Sequence, residues 1–331
     1  MRLVLTVLVL VAMSGSVMAQ QKSFDASAYQ VPDGALTINA TSLEVEPYFA
    51  TKALIVATDA GLDTHDTALK WIAWMLPRQR QDGRIDRWCK KHPADDWRRC
   101  GDADADDSML ALWVELLYRN GTDKGLPLEW QQSVDRALAY EETLNNRQGV
   151  YHVSRKNHTP LLMDNVEIYS AFKDIGKQLS RWDLEGAAAM QAKSQKLADD
   201  IQRVFWDGGT GRFRSSTQKI EPAFYPDAVA QTYPWLEAMP TPQDPKNGWT
   251  AWKQNFAAGW LDKRWDPHPW GLVALTALKL EDLQTAGCWL QRSTPMRSSP
   301  QWNILEEASY QAVLNVNPQG ADSCSELVSG Q

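Results

Sequence analysis

Basic clusters are missing from this 331-residue chain: 34 Lys and Arg face 41 Asp and Glu, a net charge of −7, with no run that could track nucleic-acid phosphates. Nucleic acid is therefore excluded as a partner. No G-x-S-x-G elbow, H-E-x-x-H motif, P-loop or dinucleotide fingerprint occurs, and Gly208-Gly-Thr-Gly211 ends a helical segment instead of opening one. Serine-nucleophile, zinc-hydrolase and nucleotide chemistries lose support. Neither cysteine pair has C-x-x-C spacing, so structural zinc is not expected. Phenylalanine is scarce, seven against sixteen Trp, which is an unusual ratio because the amphipathic indole is normally the rarer core residue.

The longest apolar run is Leu3 to Met13, after Arg2 and before small residues ending Val17-Met18-Ala19. It is too short for a bilayer and has the form of a cleaved secretory signal over residues 1–19. Removing it leaves a net charge of −8. The mature protein is expected to be periplasmic or secreted, with no membrane insertion after cleavage and a monomer as the default. Export places the four cysteines in an oxidising compartment. Of three pairings, Cys89 with Cys100 and Cys288 with Cys324 are favoured; the first holds a loop near an acidic cluster, the second ties the tail to a late helix.

From Pro47 onward, segments of helical period follow one another, with hardly any strand pattern outside pieces such as Gly149–Val153. Pro47–Ala60 and Thr64–Leu76 make a hairpin, as do Asp106–Asn120 with Leu128–Leu144, and Asn165–Leu179 with Leu184–Phe205. Phe224–Ala238 with Trp249–Trp260 and Trp270–Leu280 with Asp282–Gln291 continue the series, and Trp302–Val316 begins a sixth pair. About eleven or twelve helices in six antiparallel pairs predict an all-α domain over 46–317. An arm over 20–45 should wrap its outside, and 318–331 form a tail. The hairpins share no fixed repeat period, which favours a closed toroid over an open solenoid.

The densest acidic stretch, Gly101-Asp-Ala-Asp-Ala-Asp-Asp-Ser108, precedes a strongly apolar helix. Capping needs one or two carboxylates, and four within six positions raise one another's proton affinity, so Asp107 and Ser108 are expected to face the funnel of the toroid. Asp102, Asp104 and Asp106 begin a calcium-loop series that then fails, with Asp107 where Gly is required and Trp113 in place of Glu. Asp164 and Glu167, three apart, share a helix face, where they have either a capping or a chemical role; Asn165 and Tyr169 add an amide and a ring suited to sugars. Tyr225, Asp227 and Gln231 form a third set. Trp265-Asp-Pro-His-Pro-Trp270 offers Trp265, His268 and Trp270 as an aromatic platform.

Glu46-Pro-Tyr-Phe-Ala50, Trp71-Ile-Ala-Trp-Met75, Asp106-Asp-Ser108, Met163-Asp-Asn-Val-Glu167, Phe224-Tyr-Pro-Asp-Ala228 and Pro269-Trp-Gly271 occur in this order over residues 46–316. As an ordered set they resemble the six-hairpin glycosidase-like proteins of the (α/α)6 toroid superfamily. The resemblance implies a central cleft that handles saccharides, with Asp107 and the Asp164/Glu167 pair as first candidate catalysts and Asp227 behind them. The chain departs from the pattern at Thr51-Lys52, where a small or amide residue is commoner. An inverting glycoside hydrolase acting on a polysaccharide or oligosaccharide is the leading expectation, with no cofactor or metal. The alternatives are a non-catalytic glycan-binding protein of exopolysaccharide assembly or export, and a polysaccharide lyase using Tyr151, His158 or Tyr169.

Overall fold

The computed structural model describes residues 21–219, 221–297, 299–316 and Cys324. The expected signal peptide and the tail, apart from Cys324, lie outside the described residues.

Burial separates the helices into two classes. In α1 (Pro47–Asp59) nine of 13 residues are buried, in α3 (Asp106–Arg119) 13 of 14, and in α5 (Leu162–Leu179) 14 of 18, so these helices are surrounded by protein. By contrast α4 (Leu128–Glu142) buries five of 15 and α6 (Leu184–Phe205) eight of 22, a single apolar stripe facing inward. The inner set is completed by α7 (Tyr233–Leu236), α9 (Gly271–Lys279) and α11 (Ile304–Val316); the outer set by α2 (His65–Met75), α8 (Pro245–Leu261) and α10 (Leu283–Ser293). Around the axis α1 packs on α3, α3 on α5, α5 on α7, α7 on α9, α9 on α11, and α11 on α1 again. The architecture is an all-α toroid with a closed inner ring of six helices.

Large indoles fill the space between the rings. Trp71, Trp113, Trp260, Trp289 and Trp302 are among the largest fully buried side chains. Each of their N–H groups is paired: Trp71 with Thr51, Trp113 with Ser133, Trp260 and Trp289 with the Pro269 carbonyl, and Trp302 with Glu307. The surplus of Trp over Phe thus supplies apolar volume together with a donor that ties outer to inner elements.

Most helix bounds follow the sequence pattern, but the fourth pair does not. The single helix expected over Phe224–Ala238 is a π-turn at Phe224–Ala228 followed by the one-turn α7. Pro226 and Pro234 lack the N–H that helix continuation needs, and Tyr225, before Pro226, is extended at φ −105° and ψ 129°. The sequence pattern also missed a sheet: β1 (Glu44–Val45), β2 (Asp86–Cys89) and β3 (Arg98–Asp102) pair antiparallel. Its residues are too polar to show alternation, and the Cys89–Cys100 disulfide closes the hairpin between β2 and β3. Cys288 and Cys324 form the second disulfide, as expected. A further short ribbon joins β4 (Trp206–Asp207) to β5 (Arg212–Phe213).

The N-terminal arm lies along α11. Asp25 and Gln311 exchange two hydrogen bonds, Ile304 N–H donates to the Ile38 carbonyl, and Asn39 donates to the Trp302 carbonyl. The arm also reaches α2, where the Gln30 amide donates to the Thr67 carbonyl. No described helix is long and apolar enough to cross a membrane.

Candidate active site

All six inner helices begin at the same mouth of the ring, where they enclose a cavity of about 410 Å³. Tyr48 and Phe49 come from the start of α1, Ser108 from α3, Asp164 from α5, Tyr233 from α7, Leu272 from α9, and Leu305 and Glu306 from α11; Asp104, Tyr225, Asp266, His268 and Trp270 enter from the preceding loops. Helix N-termini carry unpaired N–H groups and a positive dipole end, which favour carboxylates beside them. Four carboxyl groups line the cavity: Asp104, Asp164, Asp266 and Glu306.

Asp164 is not spent on capping. Neither α3 nor α5 has a side-chain N-cap bond, and Asp164 Oδ2 is buried without a hydrogen-bond partner. Burial pushes the Asp164 carboxyl well above the ordinary carboxylate range, and the neighbouring Asp107, Glu167 and Asp104 push it further. Asp104 is also raised by burial, with Arg87 opposing. Glu306 is pushed up to about 7 by burial, although the Gly271 N–H donates to its Oε2 at 2.7 Å. On the same cavity, Tyr225 and Trp270 stack with centroids 4.7 Å apart and planes 20° from parallel, and Tyr225 remains 46% exposed at the rim. Trp270 holds a left-handed backbone at φ 51°, pinned from behind by Glu306 through the next N–H.

No protein-family model and no curated protein sequence matches the chain. Solved structures do match in fold. An α-amylase from Clostridium perfringens superposes with a TM-score of 0.58 at 12% identity, covering 88% of this chain and 94% of its own. A reducing-end xylose-releasing exo-oligoxylanase gives 0.53 at 12%, covering 88% and 85%. A rhamnosidase from Klebsiella oxytoca with rhamnose bound gives 0.50 at 13%, covering 82% and 57%. The fold is the glycosidase-like (α/α)6 toroid.

Within this toroid the residues singled out by sequence fall into three positions. Asp164, Ser108, Tyr225, His268 and Trp270 line the cavity, and the Ser108 hydroxyl is buried without a partner. Asp107 and Glu167 stand behind its wall. Asp107 is fully enclosed with no side-chain partner; burial raises it well above the usual range, the Ser108 N–H opposes, and Glu141, itself pushed up to about 8 by burial, adds to the rise. Glu167 Oε1 accepts the Tyr48 hydroxyl at 2.9 Å and lies 3.3 Å from Lys52 Nζ.

The remaining residues lie elsewhere. Asn165 spends its amide on the Tyr151 backbone and the Leu161 carbonyl, bracing the loop before α5. Tyr169 is buried under the Lys173 ammonium, and Gln231 bridges to Phe213. Asp227 sits 3.4 Å from Arg212 and from Ser215. Trp265, 55% exposed, covers Gly259, where a Cβ would lie 1.3 Å from its indole nitrogen. None of these five residues is on the cavity lining. Nor are Tyr151, packed on Phe172, and His158, stacked on His152.

Asp102, Asp104 and Asp106 diverge instead of converging on a cation. Asp102 pairs with Arg99 and Lys156, Asp104 faces the cavity, and Asp106 accepts the Tyr140 hydroxyl. Among the described residues, no group of three or more His, Cys, Asp or Glu is arranged for a metal.

Asp104, Asp266, Glu306, Tyr48, Tyr233 and Asn303 are cavity residues that the sequence did not single out as site residues. Asp104 lay in the acidic stretch and Tyr48 in the Glu46-Pro-Tyr-Phe motif, so both had a signal. Glu46 itself accepts the Asp104 N–H and pairs with Arg87, which fixes the start of that acidic stretch. Glu306, in an ordinary helical Leu-Glu-Glu, carried none.

Proposed function

We propose that the chain is an exported carbohydrate-active enzyme, an inverting glycoside hydrolase acting on a polysaccharide or oligosaccharide. The observation that carries this reading is a buried, uncapped carboxyl, Asp164, that lines one cavity together with a stacked Tyr225–Trp270 pair. A carboxyl held protonated by burial and by like charges behind it is fitted to give a proton to a leaving glycosidic oxygen. Glu167, paired with Lys52, places a like charge behind the wall, and Asp107 competes with Asp164 for a proton there. Asp104, Asp266 and Glu306 are the candidates for the base that activates water. Inversion requires that base to stand about 6.5–9.5 Å from the acid, which leaves room for the water between them.

The neighbouring folds, named as an α-amylase, an oligoxylanase and a rhamnosidase, support a saccharide substrate. Two disulfides support an oxidising compartment. The test is release of reducing sugar from a polysaccharide panel by the mature protein, beside Asp164→Asn and Asp104→Asn. Release by the wild type with loss in Asp164→Asn is expected, and a product of inverted anomeric configuration by NMR. Binding without release across the panel would replace the hydrolase with a glycan-binding protein.

A further inference from the structure

Lys52, one of the two residues, Thr51-Lys52, at which the chain departs from the pattern it resembles, stands between two cavities. Its buried ammonium lies 2.8 Å from Glu237 Oε1 and 3.3 Å from Glu167 Oε1. Glu167 Oε1 in turn receives the Tyr48 hydroxyl, and Tyr48 lines the candidate active site. On the far side, Lys52, Ser170 and Glu237 line a second cavity of about 480 Å³ at the opposite mouth, where the Ser170 hydroxyl holds Glu237 Oε2 at 2.6 Å. The chain Tyr48–Glu167–Lys52–Glu237 therefore plugs the bore.

A phenol has one proton, and here it is committed to Glu167, so the Tyr48 oxygen can offer only lone pairs to the groups on its cavity side, the neighbouring Tyr233 hydroxyl and a substrate. The direction of that bond depends on Glu167 being a carboxylate. A protonated Glu167 could donate to Tyr48, and the phenolic proton would then turn toward substrate. Burial favours the protonated form of Glu167; Lys52 opposes it, while Glu237 adds to the rise. Asp164 and Tyr233 face the same group from α5 and α7, Lys173 neutralises Glu237 from behind, and Glu115, paired with Arg119, lies beyond Lys52. Among the described residues, Lys52 is the cation in ion-pair contact with Glu167.

We propose that Lys52 is a positioning residue that, through its ion pair with Glu167, fixes the Tyr48 hydroxyl as a hydrogen-bond acceptor toward the active site and so selects a substrate hydroxyl that donates there. The selectivity half rests on the saccharide reading of the cavity; the orientation half does not.

The orientation is tested in the mature protein labelled at tyrosine 13Cζ, with the Tyr48 resonance assigned by its loss in Tyr48→Phe. In the wild type this resonance follows the protonation of Glu167 on the acid side of neutral. In Lys52→Met that transition moves up by about 1–3 pH units, the span an adjacent opposite charge typically controls, and Lys52→Arg restores the wild-type curve. Lys52→Met/Glu237→Gln gives the same result without leaving Glu237 unpaired, in case the single variant folds poorly. An unchanged Tyr48 titration in either folded variant overturns the proposal. With a substrate in hand, Lys52→Met raises KM about tenfold and changes kcat less, and an analogue lacking the donating hydroxyl abolishes that difference. A shifted titration in a protein that turns over no saccharide would sink the hydrolase and leave the orientation standing; unchanged KM would overturn the selectivity.

Discussion

The acids at the starts of outer helices and those at the starts of inner helices have the same sequence appearance and opposite circumstances. Asp183, Asp244 and Asp282 each cap an outer helix, α6, α8 and α10, accepting a backbone N–H at 2.9, 2.9 and 3.1 Å. Asp107 and Asp164, in the first turns of α3 and α5, cap nothing. Asp282 also accepts from Trp249, Thr285 and Lys253; burial opposes ionisation there, and these donors outweigh it, holding the carboxyl below its usual range. The inner acids are raised instead. An acid followed by an apolar helix thus becomes a structural clamp when water and cations reach it, and a proton holder when other carboxyls do.

Substitution should separate the two groups, most sharply in turnover. Asp164→Asn is expected to lower reducing-sugar release by about 10²–10⁴-fold, the usual weight of a general acid, with the melting temperature unchanged or raised. Asp282→Ala should do the reverse, lowering the melting temperature and leaving turnover per folded molecule intact. If Asp164→Asn kept full activity, the contrast between inner and outer acids would lose its functional half.

A second difference is the sign of the pH dependence. Glu141, behind Asp107, rises from an ordinary 4.5 to about 8 on folding. The folded chain therefore binds its proton more tightly than the unfolded one, and the stability it contributes is full below pH 4.5 and lost as pH rises toward 8. Glu141→Gln should flatten that decline in melts run between mildly acidic and mildly alkaline pH. Asp282, lowered on folding, contributes stability above its unfolded value of 3.8 that is lost only as pH falls through its folded value. The smallest expected effect is at the simplest cap, where Asp183→Ala should cost about 1 kcal/mol in urea unfolding.

The ring was legible from sequence because helical segments follow one another in antiparallel pairs without a fixed repeat period. Leu184–Phe205 was read to the residue, and α3 within one, since strong stripes and Asp or Gly boundaries fix their ends. The mouth was legible only in part. Asp164, Tyr225, His268 and Trp270 were found because each sits in a stretch of unusual composition. Asp266 was passed over inside the same Trp265–Trp270 stretch in favour of its rings, and Glu306 was not found, since nothing local distinguishes a helix start that meets five others from one that meets solvent. Helical period reveals which face is inward and is silent about which end of the bore carries the chemistry.

The contact of α1 with α11 also constrains the order of events during folding. Residues 47–59 can pack on α3 early, but find their second ring neighbour only when residues 304–316 are present, so the circuit stays open until nearly the whole chain exists. Such long-range closure is slow relative to local hairpin formation. Until it happens, the inward faces of the first helix and of its eventual neighbour both remain bare. The cavity that needs all six helix starts is then the last part of the molecule to acquire its shape.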